Sequence, residues 1–150
     1  MLVKGVPNLA VVETVDTPKL ANRLSNAVAD LGRAPLGVMV QVNTSGEESK
    51  FGVDPGAPVV DLCRHISAEC PGLRLCGLMT IGMPDYTSRP ENFTCLINCR
   101  AEVEKALGLA EGSLELSMGM SGDFEQATEM GATSVRVGST IFGARDYSKK

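Results

Sequence analysis

The sequence predicts a single α/β domain over residues 1–150, built on a parallel sheet, and three observations carry that expectation. Short apolar runs alternate with amphipathic helical patterns five times, which is the signature of strand–helix units. No antiparallel hairpin signal separates the runs, so the strands need right-handed helical crossovers. At 150 residues and 43% hydrophobic content with few aromatics, the chain is long enough for one domain with its own core.

The first strand is expected over Leu9 to Val15. Thr17-Pro18 then supplies a cap and a first-turn proline for a helix whose apolar residues Leu20, Leu24, Ala27, Val28 and Leu31 recur at helical spacing, with Gly32 as the stop. The second run, Leu36 to Val42, is almost continuously apolar, as a strand covered on both faces should be. A polar loop and a helix from about Val59 to Cys70 follow, and Pro71 closes that helix. The third strand spans Leu73 to Ile81 and its helix runs from about Glu91 to Leu107, with Phe93, Leu96, Ile97, Val103 and Leu107 on one face. The fourth strand covers Leu114 to Met118, with a short helix ending at Gly131. The fifth is Ser134 to Val137, followed by a last turn near Ser139 to Gly143.

Composition removes several function classes. A net charge of −4 with scattered lysines and arginines leaves no basic surface for nucleic acid or an anionic membrane. No apolar run approaches the roughly 20 residues of a membrane helix, and no signal segment opens the sequence. The expected location is the cytoplasm, with an organelle left open because the natural amino terminus can lie upstream. Five cysteines without a CxxC pair argue for reduced thiols. Cys95 and Cys99 are one helical turn apart and His65 lies near Cys63, yet no tetrahedral set with zinc spacing assembles. These cysteines read as small apolar residues, and His65 as a surface or satisfied helix histidine.

In a parallel sheet, ligands bind at the carboxyl ends of the strands. Four loops fall there: Asn43 to Gly52, Met79 to Met83, Ser117 to Gly122, and Gly138 to Thr140. Each is rich in glycine and hydroxyl residues, which singly serve tight turns or helix caps. Their coincidence on one face points to a ligand. In the last third, two apolar runs end in small residues where a helix begins, a junction at which free N–H groups favour anions. Two such junctions suggest a phosphate clamp. Arg136 lies inside the fifth strand, where a permanent charge needs a partner or a ligand.

The segments VQVNTSGEESKFG, GLMTIG, LSMGMSGDF and VRVGSTIFGARDY resemble the carboxyl-terminal part of the pyridoxal phosphate homeostasis protein family, also called the YggS-like or proline synthetase co-transcribed family. The resemblance runs through nearly all 150 residues. It implies a (β/α)8 TIM-type barrel like the alanine racemase N-terminal domain, binding pyridoxal 5′-phosphate (PLP) through a lysine Schiff base without an established catalytic activity. The family's AVSKTK-like lysine segment and GENY-like motif do not occur here. A barrel takes about 250 residues, so five strand–helix units make a partial barrel lacking the first three, and the sequence is expected to be a truncated chain.

By matching motif, Ser121 resembles the family serine that contacts the cofactor phosphate, and Gly138 with Ser139 the contacts after the last strand. Arg136 resembles the arginine facing the pyridine nitrogen, which a guanidinium keeps unprotonated, weakening the ring as an electron sink. Met120 is placed near the cofactor, with core filling as its alternative role. Lys50 is the lysine nearest the mouth: it is either a substitute Schiff-base former or, as preferred here, a partner of Glu47 or Glu48 in its own loop.

The resemblance implies a non-catalytic PLP binder acting in intracellular homeostasis of that cofactor, here without the family lysine. The first alternative is a racemase-like enzyme. Against it, Ile81 stands where racemases carry a stacking histidine, the domain supplying their tyrosine lies outside this sequence, and the two positioned groups that acid–base chemistry needs are not found. The other alternative is a fragment acting through self-association or partner pairing, because an open parallel sheet leaves unpaired edges.

Overall fold

The computed structural model describes residues 2–46, 51–81 and 90–143. The order of elements is α1 (Leu2–Gly5), β1 (Val11–Val15), α2 (Pro18–Asp30), β2 (Leu36–Gln41), α3 (Ala57–Glu69), β3 (Leu73–Met79), α4 (Pro90–Leu107), β4 (Glu115–Met120), α5 (Phe124–Glu129), β5 (Ser134–Arg136) and α6 (Ser139–Phe142). All five strands are parallel and pair in chain order, β1-β2-β3-β4-β5. Parallel neighbours in sequence order, joined by helices, form a curved half-barrel with the α/β alternation expected from the sequence.

Each face of the sheet has its own apolar set. The larger core joins Leu36, Val38, Val40 and Val42 on and beside β2, and Leu116 and Met118 on β4, to Leu24 and Val28 of α2, Ile66 of α3, and Leu96 and Val103 of α4. Alternation places the next residues of each strand on the opposite, inner face, where Met39, Cys76 and Met79 form a second cluster with Val11. That explains why every residue of β2 is buried. Four of the cysteines, Cys63, Cys70, Cys76 and Cys99, lie in these interiors, and Cys95 is half-buried.

Local chemistry sets the helix boundaries. Thr17 caps α2, its Oγ1 accepting from Leu20 N–H at 3.3 Å, and Pro18 occupies the first turn. Cys70 ends α3 before Pro71. Where β3 and β4 approach, Gly77 sits against Glu115, and a Cβ there would collide with the Glu115 carbonyl. His65 Nε2 lies 2.8 Å from Asn22 Oδ1, the satisfied helix histidine anticipated from the sequence. Among the described residues no helix is long and apolar enough to cross a membrane.

The structure departs from the sequence expectation at several element boundaries, with β3 ending at Met79 rather than Ile81. A short helix, α1, precedes β1, and Arg33 ties it down: its guanidinium donates to the carbonyls of Val3, Val6 and Leu9 at 3.1, 3.3 and 2.8 Å. Leu9 therefore belongs to a turn, its N–H bonded to Val6 O, and β1 starts at Val11. At the other end of the sheet, β4 extends to Met120, two residues beyond its expected end at Met118, and Ser117 within it is 0% exposed. Lys50, Glu47, Glu48, Gly82 and Met83 lie outside the described residues.

Candidate functional site

The carboxyl ends of β3, β4 and β5 carry two connected constellations. The outer one is built where β4 and β5 end. Asp123 Oδ1 accepts from Met120 N–H at 2.6 Å and Asp123 N–H returns to Met120 O at 3.0 Å, closing a tight turn with Ser121 and Gly122 at its tip. Gly119 permits that turn with φ +95, and a Cβ there would press on Ala127 at 2.6 Å. The Ser121 Oγ accepts from Gly138 N–H at 2.9 Å and from Thr140 N–H at 3.4 Å, and Thr140 Oγ1 donates to Ser121 O at 3.4 Å. The two junctions picked out in the sequence are thus one place.

An acceptor of two N–H groups has its own hydroxyl proton left to donate outward. Ser139 and Thr140 are exposed beside it, adding hydroxyls to the same rim. A Cβ at Gly138 would meet nothing within 4 Å, so open space lies in front of that backbone. The helices at this mouth, α5 and α6, have six and four residues, too short for a developed macrodipole. What this rim offers an anion is its hydroxyls, rather than the helix dipoles that the sequence suggested, since the Gly138 and Thr140 amides are taken by Ser121 Oγ. Donors without an intervening carboxylate suit the acceptor oxygens of a phosphate, since Asp123 is turned back onto Met120 N–H.

The inner constellation centres on Arg136. Its Nη1 donates to Ser117 Oγ at 2.7 Å and its Nη2 to Thr80 O at 2.6 Å. Ser117 Oγ in turn donates to Glu13 Oε2 at 2.6 Å. Burial lowers the Arg136 pKa from its ordinary value, while Glu13 and Asp123 push it back up. A guanidinium does not deprotonate in a protein, so Arg136 stays a cation held by an acid through a hydroxyl. Met120 is half-buried and pairs in register with Arg136. Ile81, 46% exposed, follows Thr80 at the same mouth.

The structure therefore brings Ser121, Gly138, Ser139, Met120 and Arg136 to one end of the sheet. Glu13 was not legible as a site residue from the sequence, whereas Thr80 and Ser117 fall in two of the four loops expected at the ligand-binding face. One signal existed: Glu13 is an acid within an apolar strand, as Arg136 is a base within another. Two oppositely charged strand residues invite pairing, but only the curvature of the sheet shows that they meet.

Comparison with known proteins agrees with the fold. A family profile described as "Alanine racemase, N-terminal domain" matches residues 3–146. The pyridoxal phosphate homeostasis protein of Homo sapiens is 50% identical to this chain over 150 residues, covering 97% of this chain and 54% of its own length. The chain thus spans about half the length of the curated relatives it matches. A crystal structure of an unknown protein from Bifidobacterium adolescentis superposes with a TM-score of 0.79 at 37% identity, covering 93% of this chain and 55% of that one. PipY of Synechococcus elongatus, whose structure has PLP bound, superposes with a TM-score of 0.73 at 30% identity, covering 93% of this chain and 64% of that one.

Proposed function

The chain belongs to the alanine racemase N-terminal domain family, and from that premise we propose that it is a non-catalytic PLP-binding protein serving cytoplasmic homeostasis of that cofactor. The observation that carries the reading is the convergence of Ser121, Gly138 and Thr140 on one point, with Ser139 on the same rim and the charged Arg136 on the adjoining strand. When bound, PLP supplies an aldehyde and an electron-withdrawing pyridine ring. Its phosphate is held by the Ser121 hydroxyl, whose proton is left to donate, and by the backbone and hydroxyl of Ser139 beside Gly138, whose own N–H is taken by Ser121 Oγ. Open space before Gly138 admits a phosphate oxygen close to the backbone. Arg136 faces the ring nitrogen, and because it only donates, it keeps that nitrogen unprotonated. Met120 packs beside the ring. The curated relatives named for pyridoxal phosphate homeostasis and the PLP-bound PipY support PLP as the ligand.

The non-catalytic reading is supported, among the described residues, by what the nearby ionisable groups are already doing. Acid–base catalysis needs two positioned groups able to exchange protons. Glu13 is engaged by Ser117 O–H and Asp123 by Met120 N–H, and Ile81 offers no titratable group. Calorimetric titration of the chain with PLP is expected to show saturable one-site binding, with no conversion of L-alanine to its enantiomer. Sustained racemisation would replace this reading with the racemase-like one.

A second reading concerns assembly. Ile141 and Phe142 are 67% and 86% exposed next to β5, an edge of the five-stranded sheet. Exposed apolar side chains beside a strand edge favour self-association. Sedimentation velocity on the chain is expected to show a dimer or higher species that Phe142→Ser weakens; a monomer at all concentrations removes this reading.

A further inference from the structure

The Glu13–Ser117–Arg136 chain spans the inner face of the half-barrel. Glu13 is on β1, Ser117 on β4 and Arg136 on β5, and β2 and β3 separate the first from the second in the sheet. A carboxylate only accepts and a guanidinium only donates. The single proton of the Ser117 hydroxyl must therefore go to Glu13, which leaves its lone pairs for Arg136 Nη1. The relay has one direction. At 2.6 and 2.7 Å both bonds have charge-assisted lengths, and Ser117, 0% exposed, gives water no place to substitute.

The second anchor is Thr80 O, which takes Arg136 Nη2 at 2.6 Å. Thr80 is itself fixed, its Oγ1 donating to Val42 O at 3.0 Å and lying 2.8 Å from Thr44 Oγ1. Two bonds from two different nitrogens lock the plane of the guanidinium. The remaining N–H donors are then fixed in their directions.

We infer that Glu13 is a positioning residue: acting through Ser117, it sets the plane of the Arg136 guanidinium and hence how that group meets the ring of the bound ligand. This rests on the assignment of Arg136 to the PLP ring. Glu13 touches no ligand itself. Its carboxylate also cannot be exchanged freely for an amide, because Gln can turn its NH2 toward Ser117, reverse the hydroxyl, and set an O–H against Arg136 N–H.

The test compares two ligands, PLP and inorganic phosphate, on the purified chain by calorimetry. Glu13→Gln is expected to weaken PLP about tenfold, as loss of one charge-assisted alignment should, and to leave inorganic phosphate within about twofold. In an Arg136→Gln background, Glu13→Gln is expected to add no further loss, because nothing remains to align. Ser117→Ala breaks the same relay at its middle and should reproduce the pattern if Glu13→Gln folds poorly. Equal losses for both ligands, additive losses in the Arg136→Gln background, or an unchanged PLP affinity would overturn the inference. Absence of PLP binding by the unsubstituted chain overturns the functional reading and this inference together, whereas normal binding by that chain and by Glu13→Gln alike overturns the inference alone.

Discussion

Removing one oxygen at Ser121 separates binding from folding. In Ser121→Ala the Gly138 N–H loses its acceptor at 2.9 Å and the Thr140 N–H its acceptor at 3.4 Å. The second bond is long enough to count for little. The first is solvent-exposed, so water replaces the lost oxygen, and the stability change should lie near the low end of the neutral-bond range, about 0.5 kcal/mol. For 150 residues that is a fall in Tm of roughly 1–2 °C. The binding change is larger. A hydroxyl donating to a charged phosphate oxygen is worth about 1.5–3 kcal/mol, so PLP affinity should fall roughly ten- to hundredfold. Calorimetric titration reads the affinity and differential scanning calorimetry reads the stability of the same sample. An affinity within about twofold of the unsubstituted chain refutes the phosphate role. A Tm loss of about 10 °C would instead mean that the Ser121 hydroxyl is a structural pin between β4 and β5.

Other perturbations have signs and sizes set by the same structure. Arg136→Gln deletes donors to Ser117 and Thr80 and leaves Glu13 without its cation, so urea denaturation should show a loss of about 1.5–3 kcal/mol; an unchanged midpoint would contradict the relay. Glu104 is 3% exposed and accepts from Gly112 and Leu114 N–H at 3.0 and 2.9 Å, so Glu104→Ala should cost about 2–3 kcal/mol by stranding those donors, read by the same denaturation. Gly77→Ala forces β3 and β4 apart at the Glu115 carbonyl and should destabilise by about 1–3 kcal/mol, with no effect expected from Gly138→Ala on the stability of the unliganded chain. Burial, with a smaller contribution from Cys99, pushes the Cys63 thiol from 9.0 up to about 12. The unfolded chain then ionises first as pH rises, so this contribution is constant below about pH 9 and stability falls between pH 9 and 12. Cys63→Ala should flatten that alkaline slope.

The parts of this molecule readable from its sequence are those governed by neighbours in the chain. Thr17-Pro18 announces α2, Pro71 ends α3, and the unbroken apolar run at Leu36 marks a strand covered on both faces, because caps, proline and periodicity act over a few residues. The site motifs around Ser121 and Gly138 were legible for the same reason. What remained hidden depends on contacts between distant residues. The α1 turn exists because Arg33 binds carbonyls 24 to 30 residues away, and the Glu13–Ser117 bond joins residues 104 apart. Periodicity shows which side of a strand faces inward but not how far one strand slides along the next. The register shifts between Ser117 and Met120, and between Val38 and Met39, are of that kind. In the β4–β5 pair Ser117 lies opposite Ser134 and Met120 opposite Arg136, so the Arg136 side chain reaches back along the strand to Ser117.

The most direct test of the central claim is to follow backbone amide resonances of the isotopically labelled chain by NMR while adding PLP. Saturable shifts centred on Ser121, Gly138, Ser139 and Arg136, largely reproduced by inorganic phosphate at the first three and absent from Arg136 with phosphate alone, are the predicted result. No saturable shift at those amides, or a response confined to the far side of the sheet, would contradict it.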